Sequence, residues 1–308
     1  MIYHRFATTS VKIDTNYSVE TLDYIWNKYN AWNGSPPGSF AAQPPLPPVN
    51  SILDRQYYFY CAFRMVHECP KTRAKHAFRS HDCWFDASPR TVRGQVHPLM
   101  KALSKIISEV DRSRRLNPYN HGVSPFDYFV TGMVDTFPVY VPAARRFSIA
   151  RLLYQPKYKD HVLKWQLGIT FGGEIILFTG PHLGTTPDCT IWEATWAEHP
   201  FFDWEVWLAD LGYVGCEGLL YKYKRDGGVA LTDRQQFFNN VHEHVRNRIE
   251  QIVGVVKQHR MFEQGVYRGS FDLLKACVTV TGHVTAAELR MRPGGPRFVC
   301  YGPWDHVY

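Results

Sequence analysis

Two stretches, YFVTGMVD at residues 128–135 and WEVWLAD at residues 204–210, decide the fold. Each is a short apolar run ending in an aspartate. Tyr128–Val134 and Trp204–Ala209 are rich in β-branched and aromatic residues and too short for core helices, so they read as strands. Between them lie Val162–Thr170 and Ile175–Thr179, with Gly172-Gly173 separating the two as a hairpin turn would. Leu219–Tyr221 reads as a short fifth strand. Arg234–Phe262 then carries Phe238, Val241, Val245, Ile249, Ile252, Val256 and Phe262 on one side of a long amphipathic helix. Strands followed by such a helix predict an α/β domain with a mixed sheet and flanking helices.

Upstream the pattern is different. Residues 34–49, GSPPGSFAAQPPLPPV, form a Pro/Gly-rich connector, preceded by one amphipathic helix around Val19–Trp32. Residues 51–115 read as helical. Ser88 suits an N-cap and Pro89 the first helical position, ahead of Val92, Val96, Leu99, Leu103, Ile106 and Ile107 at helical spacing. That arrangement fits either a helix-turn-helix presenting Arg90 and Arg93 to DNA or an ordinary helical hairpin. The expected organisation is a tail and linker over 1–50, a helical region over 51–120, and an α/β domain over 121–308.

Charge is uneven along the 308 residues. The stretch Arg64–Arg115 holds 12 Lys/Arg and 5 Asp/Glu, a net of +7, which leaves 35 − 12 = 23 cations and 28 − 5 = 23 acids elsewhere. A basic stretch in the N-terminal third beside a neutral remainder suits a polyanion such as nucleic acid, or is simply a solvated surface. The 7 cysteines are scattered and form no CxxC pair, so neither a disulfide framework nor a zinc ribbon is expected and a reducing compartment is the default. No apolar run approaches a membrane span and the N-terminus lacks a signal-peptide core, so the expected compartment is cytoplasm or nucleus.

A third acid joins the two strand-end aspartates. Arg246, Glu250, Gly254 and Lys257 share one face of the long helix at the margin of its apolar stripe. Gly254 would allow the sheet or DNA to come close. Bringing Asp135, Asp210 and Glu250 together without a cation would be costly, since each pair at about 4 Å repels by roughly 4 kcal/mol at an effective dielectric of 20. Oxygen-only ligands favour Mg²⁺ or Mn²⁺, and two such ions form the clamp for in-line phosphodiester attack. Asp188, in a Gly-rich loop opening a helix, is read as an N-cap or supporting residue, with direct metal ligation the alternative. His182 in the same loop reads as exposed or as touching phosphate. His242 and His244 are two apart on a helix and suggest no metal site.

These acids sit in recognisable surroundings. Gly132-Met133-Val134-Asp135-Thr136, the segment Gly180 to Asp188 with Ile191-Trp192, Leu208-Ala209-Asp210-Leu211-Gly212-Tyr213, and Phe238-Asn239 followed by Arg246, Glu250, Gly254 and Lys257 resemble boxes of the DDE superfamily endonucleases of Harbinger type. Thr136 follows Asp135 directly where that family has Asp-Gly-Thr, and Thr185 stands where it has Ser. The resemblance covers roughly residues 127–262. It implies an RNase H-like fold, Asp135, Asp210 and Glu250 as catalytic and metal-binding residues, and Arg246 and Lys257 beside DNA. It further implies cleavage and strand transfer at the ends of a mobile element, in the nucleus of a eukaryote, with a Myb-like DNA-binding partner or a homo-oligomer as candidate assemblies. The competing readings are an inactive transposase-derived DNA-binding or scaffold protein and a structure-selective nuclease. The chain after Phe262 offers no readable chemistry.

Overall fold

The computed structural model describes residues 17–33, 89–116, 130–198, 201–225, 227, 229–263, 267 and 269–291. The connector at 34–49, the stretch 51–88 and the first two residues of the run at 128 lie outside these. Along the chain the elements are α1 (Val19–Asn33), α2 (Pro89–Ile106), β1 (Val130–Tyr140), α3 (Phe147–Leu153), β2 (Tyr154–Gln155), β3 (Asp160–Ile169), β4 (Ile175–Leu183), α4 (Asp188–Glu198), β5 (Val206–Leu208), β6 (Leu219–Leu220), α5 (Asp233–Val256) and α6 (Phe271–Met291). They divide into two compact units, one holding α1, α2 and α6, the other the sheet with α3, α4 and α5 as far as Val255.

In the helical unit α2 begins at Pro89, as expected for a residue whose fixed φ suits the first turn and whose missing N–H costs nothing there. Whether α2 is part of a helix-turn-helix depends on residues outside those described, and so do the side chains of Arg90 and Arg93. The unexpected element is α6, in the stretch without readable chemistry. It is buried on nearly every side, through Leu274, Cys277, Val278, Val280, Thr281, Val284, Ala287 and Leu289. Its threonines are accommodated because a buried hydroxyl can bond back along the helix; Thr281 Oγ1 donates to the Cys277 carbonyl at 2.9 Å. The unit encloses a carboxylate, Glu109, 3% exposed. It is paired with Lys28 and Arg290 and accepts from the Tyr24 hydroxyl at 3.1 Å.

The sheet unit has six strands in the order β2-β3-β1-β5-β6, with β4 also paired to β3. β1–β5 and β5–β6 are parallel, whereas β2–β3 and β3–β4 are antiparallel, so the sheet is mixed. Its helix-covered layer is packed around Trp192, Trp207 and Tyr213 with Val134, Ile176 and Leu177. Glycines let Trp207 lie flat across the strands: a Cβ at Gly132 or Gly168 would stand 2.9 Å and 2.5 Å from its ring.

Several expectations change here. β1 does not end at Asp135 but continues to Tyr140, because Phe137 and Val139 beyond it are buried as well. The long helix stops at Val256 rather than Phe262. The chain turns there so that His259 is buried with its Nε2 2.9 Å from the Tyr17 hydroxyl. Contrary to the expectation of no disulfide, Cys189 and Cys216 are joined, although 27 residues apart and without a CxxC pattern. They come together because α4 packs against the turn that follows Asp210. The basic stretch before Arg115 is also partly consumed inside the fold. Arg114 binds Glu174 at 2.5 Å, Arg115 binds Glu205 at 2.6 Å, and Arg112 lies 4.1 Å over the Phe201 ring.

Candidate active site

The two aspartates are set side by side by register. β1 and β5 run parallel with Met133 opposite Leu208, so Asp135 and Asp210 each follow that pair by two residues. Neighbouring strands are about 4.8 Å apart, which brings the two backbones within reach of a common ion. Each carboxylate is oriented by its own chain: Asp135 accepts from the Thr136 N–H at 2.8 Å and Asp210 from the Leu211 N–H at 2.6 Å. The Asp210 bond caps the short 3-10 turn Leu211–Tyr213.

Helix α5 supplies the other charges. Arg246 donates to Asp135 at 3.2 Å through one nitrogen and to Glu250, one turn on, at 2.9 Å through another. The Glu250 side chain is 58% exposed against 14% for Arg246, so it stands at the margin of the core as its face predicts. A Cβ at Gly254 would meet nothing within 4 Å, so the sheet does not approach there and the face is open. Lys257 falls just beyond the helix end, in the helical unit, half-buried, with burial lowering its pKa.

Burial pushes the Asp135 carboxyl up to about 6; the Asp210 charge adds to the rise, while Arg246 and the Thr136 N–H oppose it. The cluster is thus short of positive charge. Three carboxylates against one guanidinium leave two negative charges, the charge of one divalent cation. The donors are all hard oxygens, which suits Mg²⁺ or Mn²⁺. Asp135 and Asp210, at equivalent positions of adjacent strands, offer the oxygen donors such an ion takes. Glu250 is drawn to Arg246, and among the described residues no three His, Cys, Asp or Glu side chains are gathered around one point.

Asp188 opens α4 and is engaged elsewhere: its Oδ1 accepts from the Lys164 ammonium at 2.9 Å, and that ammonium also reaches the Thr186 carbonyl at 2.8 Å. Its own charge is therefore balanced. Gly212 makes this approach feasible, since a Cβ there would come within 3.1 Å of Asp188 Oδ2. His182 lies in β4 opposite Lys164 rather than in a loop. His242 is fully buried, its Nε2 3.1 Å from the Leu220 carbonyl oxygen.

Two residues of this site carry roles the sequence left unassigned. Lys164 is a lone cation in the apolar run VLKWQLGI, a pattern that signals a buried partner. Tyr213 is fully buried. Burial together with the charges of Asp135 and Asp188 raises its pKa well above the ordinary phenol value, which keeps it a neutral wall behind the acids.

Residues 134–285 match the family described as DDE superfamily endonuclease. No curated protein and no solved structure matches the chain.

Proposed function

We propose that this chain, whose residues 134–285 match the DDE superfamily endonuclease family, is a metal-dependent DNA nuclease and strand transferase of transposase type, with Asp135, Asp210 and Glu250 as its metal-holding carboxylates. The family makes DNA the substrate and divalent metal the usual cofactor. The observation carrying the finer reading is the placement of Asp135 and Asp210 at equivalent positions of adjacent parallel strands, with a net deficit of two positive charges around them.

Asp135, Asp210 and Glu250 would hold Mg²⁺ or Mn²⁺, which when bound would supply Lewis acidity toward the attacking and leaving oxygens of a phosphodiester. The chain's residues prepare that site. The Thr136 and Leu211 N–H groups each fix one oxygen of an aspartate, and the second Asp135 oxygen accepts from Arg246, which an arriving ion would have to displace. Arg246 holds Asp135 and Glu250 in a fork, and a guanidinium so placed can exchange a carboxylate for a phosphate oxygen as DNA arrives. Lys164 neutralises Asp188, so that acid supports the loop rather than adding repulsion. Arg90, Arg93 and Lys257 are further candidates for DNA contact, with a homo-oligomer or a Myb-like partner completing recognition in the nucleus.

One observation favours a second reading, an inactive DNA-binding derivative: Arg246 occupies the space between Asp135 and Glu250 that an ion would share. Supercoiled plasmid separates the two. The nuclease reading expects nicking with Mg²⁺ or Mn²⁺, none with a chelator, and a loss of about a thousandfold in Asp210→Asn. Nicking by Asp210→Asn at the wild-type rate, or none by the wild type with either metal, would falsify it.

A further inference from the structure

The segment that leaves β1 and returns at β3 exposes a combination of side chains the catalytic reading does not use. From Ala143 to Lys159 there are five cations, Arg145, Arg146, Arg151, Lys157 and Lys159, and no Asp or Glu. All five are exposed. Among the described residues none is paired with a carboxylate, unlike Arg114 and Arg115, which are committed to buried acids. Between these cations α3 turns apolar side chains outward. Phe147 is 83% exposed, the most of any large hydrophobic among the described residues, and Leu152 and Tyr154 are 45% and 41% exposed. A large ring set in solvent beside unpaired guanidinium groups gains nothing for the fold.

The segment is tied to the acid cluster through a short series of contacts within the same unit. The Leu152 carbonyl accepts from the Thr185 N–H at 3.2 Å and from its hydroxyl at 3.0 Å. Gln155 donates to the Gly184 carbonyl at 3.0 Å, and Gly184 has no room for a Cβ, which would meet the Leu153 carbonyl oxygen at 2.3 Å. Thr186, two residues further along, is held by Lys164, the cation that pairs with Asp188 beside Gly212. The basic, aromatic surface is thus anchored to the loop that borders the site.

We propose that the segment from Arg145 to Lys159 is a docking surface for DNA flanking the scissile bond, its cations taking backbone phosphates and Phe147 stacking on an unpaired base. It rests on the nuclease reading only for the identity of the polyanion. Phosphates match a run of cations with no acid among them, and base-on-aromatic stacking is the use to which an exposed ring beside arginines is suited.

The test is the salt dependence of binding by the full chain, with chelator present, to a fluorescent duplex carrying a short single-stranded flank. Plasmid nicking is run in parallel. Arg145→Ala/Arg146→Ala/Arg151→Ala should weaken binding roughly tenfold or more and reduce the slope of log affinity against log salt by up to about 3, near one per lost phosphate contact. Phe147→Ala should weaken binding to the flanked duplex about fivefold with the slope unchanged. Thermal melts should be unaltered, because these side chains are exposed. An unchanged slope in the triple variant overturns the proposal, as does loss of self-association, by light scattering, with DNA binding intact, since that would make this face a contact between copies. If the wild type nicks nothing while the triple variant flattens the slope, docking stands and the nuclease reading falls. If the wild type nicks normally while the triple variant leaves the slope unaffected, the nuclease reading stands and docking falls.

Discussion

Glu109 and Asp135 are both carboxylates withdrawn from water, yet their surroundings treat charge in opposite ways. Burial alone would raise the Glu109 carboxyl, but Lys28 and Arg290 more than offset it and hold its pKa below the ordinary value. The Tyr24 hydroxyl adds a further bond, and the Glu109 backbone N–H donates to His283 Nδ1 at 2.9 Å. Asp135 has one guanidinium, shared with Glu250, and a like charge beside it, so burial prevails and its carboxyl is pushed up to about 6. Glu205 follows the Glu109 pattern: burial is outweighed by Arg115, Thr131 and Trp207, and its pKa is lowered. Where a carboxylate serves the fold, its charge is balanced. Where balance is withheld, at Asp135, the cation proposed above would supply the missing charge.

That comparison can be broken most forcefully by removing one charge from each region. Glu109→Gln should destabilise the protein by about 2 kcal/mol, because the charge-assisted bonds that two partly exposed cations make to one buried carboxylate are lost. Asp135→Asn should leave the metal-free protein as stable as before, or more stable by on the order of 1 kcal/mol, since a disfavoured buried charge is gone. Denaturant titrations of the two variants check both signs, and equal losses would erase the distinction. Asp188 sharpens it next. Paired with the 7%-exposed Lys164, it belongs with Glu109 rather than with Asp135. Asp188→Asn should therefore cost about 2 kcal/mol by leaving an ammonium with one carbonyl partner. A stability-neutral Asp188→Asn would move this residue into the metal-binding group.

A smaller effect should follow pH. Burial lowers the His283 pKa from 6.5 to about 4, and its Nδ1 accepts the Glu109 N–H, which only the unprotonated ring can do. Between those two values the unfolded chain binds the extra proton, so stability falls as pH drops through that window. Each pH unit within that window costs at most about 1.4 kcal/mol. His283→Asn keeps an acceptor but does not titrate, so melts from pH 7 to 4 should flatten in the variant. An unchanged profile would assign the acid sensitivity to other groups.

Much of the sheet unit was legible because its strands are short apolar runs bounded by glycine and its long helix has a clean apolar stripe. The extra length of β1 was not, since Pro138 interrupts the apolar pattern although Phe137 and Val139 are buried on either side of it. α6 was illegible for a different reason. A helix buried all round has no polar face to give it a period, and its Val and Thr content resembles a strand. Within the site, Asp135, Asp210 and Glu250 were readable as acids placed by strand and helix. The fork made by Arg246 was readable only as a shared helical face, because Asp135 lies 111 residues away in sequence. The Lys164–Asp188 pair was hidden likewise, as it joins β3 to the start of α4.

The central claim is that these carboxylates are arranged to receive a divalent cation, and metal-dependent melting tests it without any knowledge of the natural DNA target. The wild type's melting temperature should rise with added Mn²⁺ or Mg²⁺, by the equivalent of about 2.7 kcal/mol at a hundred times the dissociation constant. Asp135→Asn should show almost none of that rise, and Glu250→Gln a reduced one. Equal rises in wild type and Asp135→Asn, or no rise in any of the three proteins, would contradict the account.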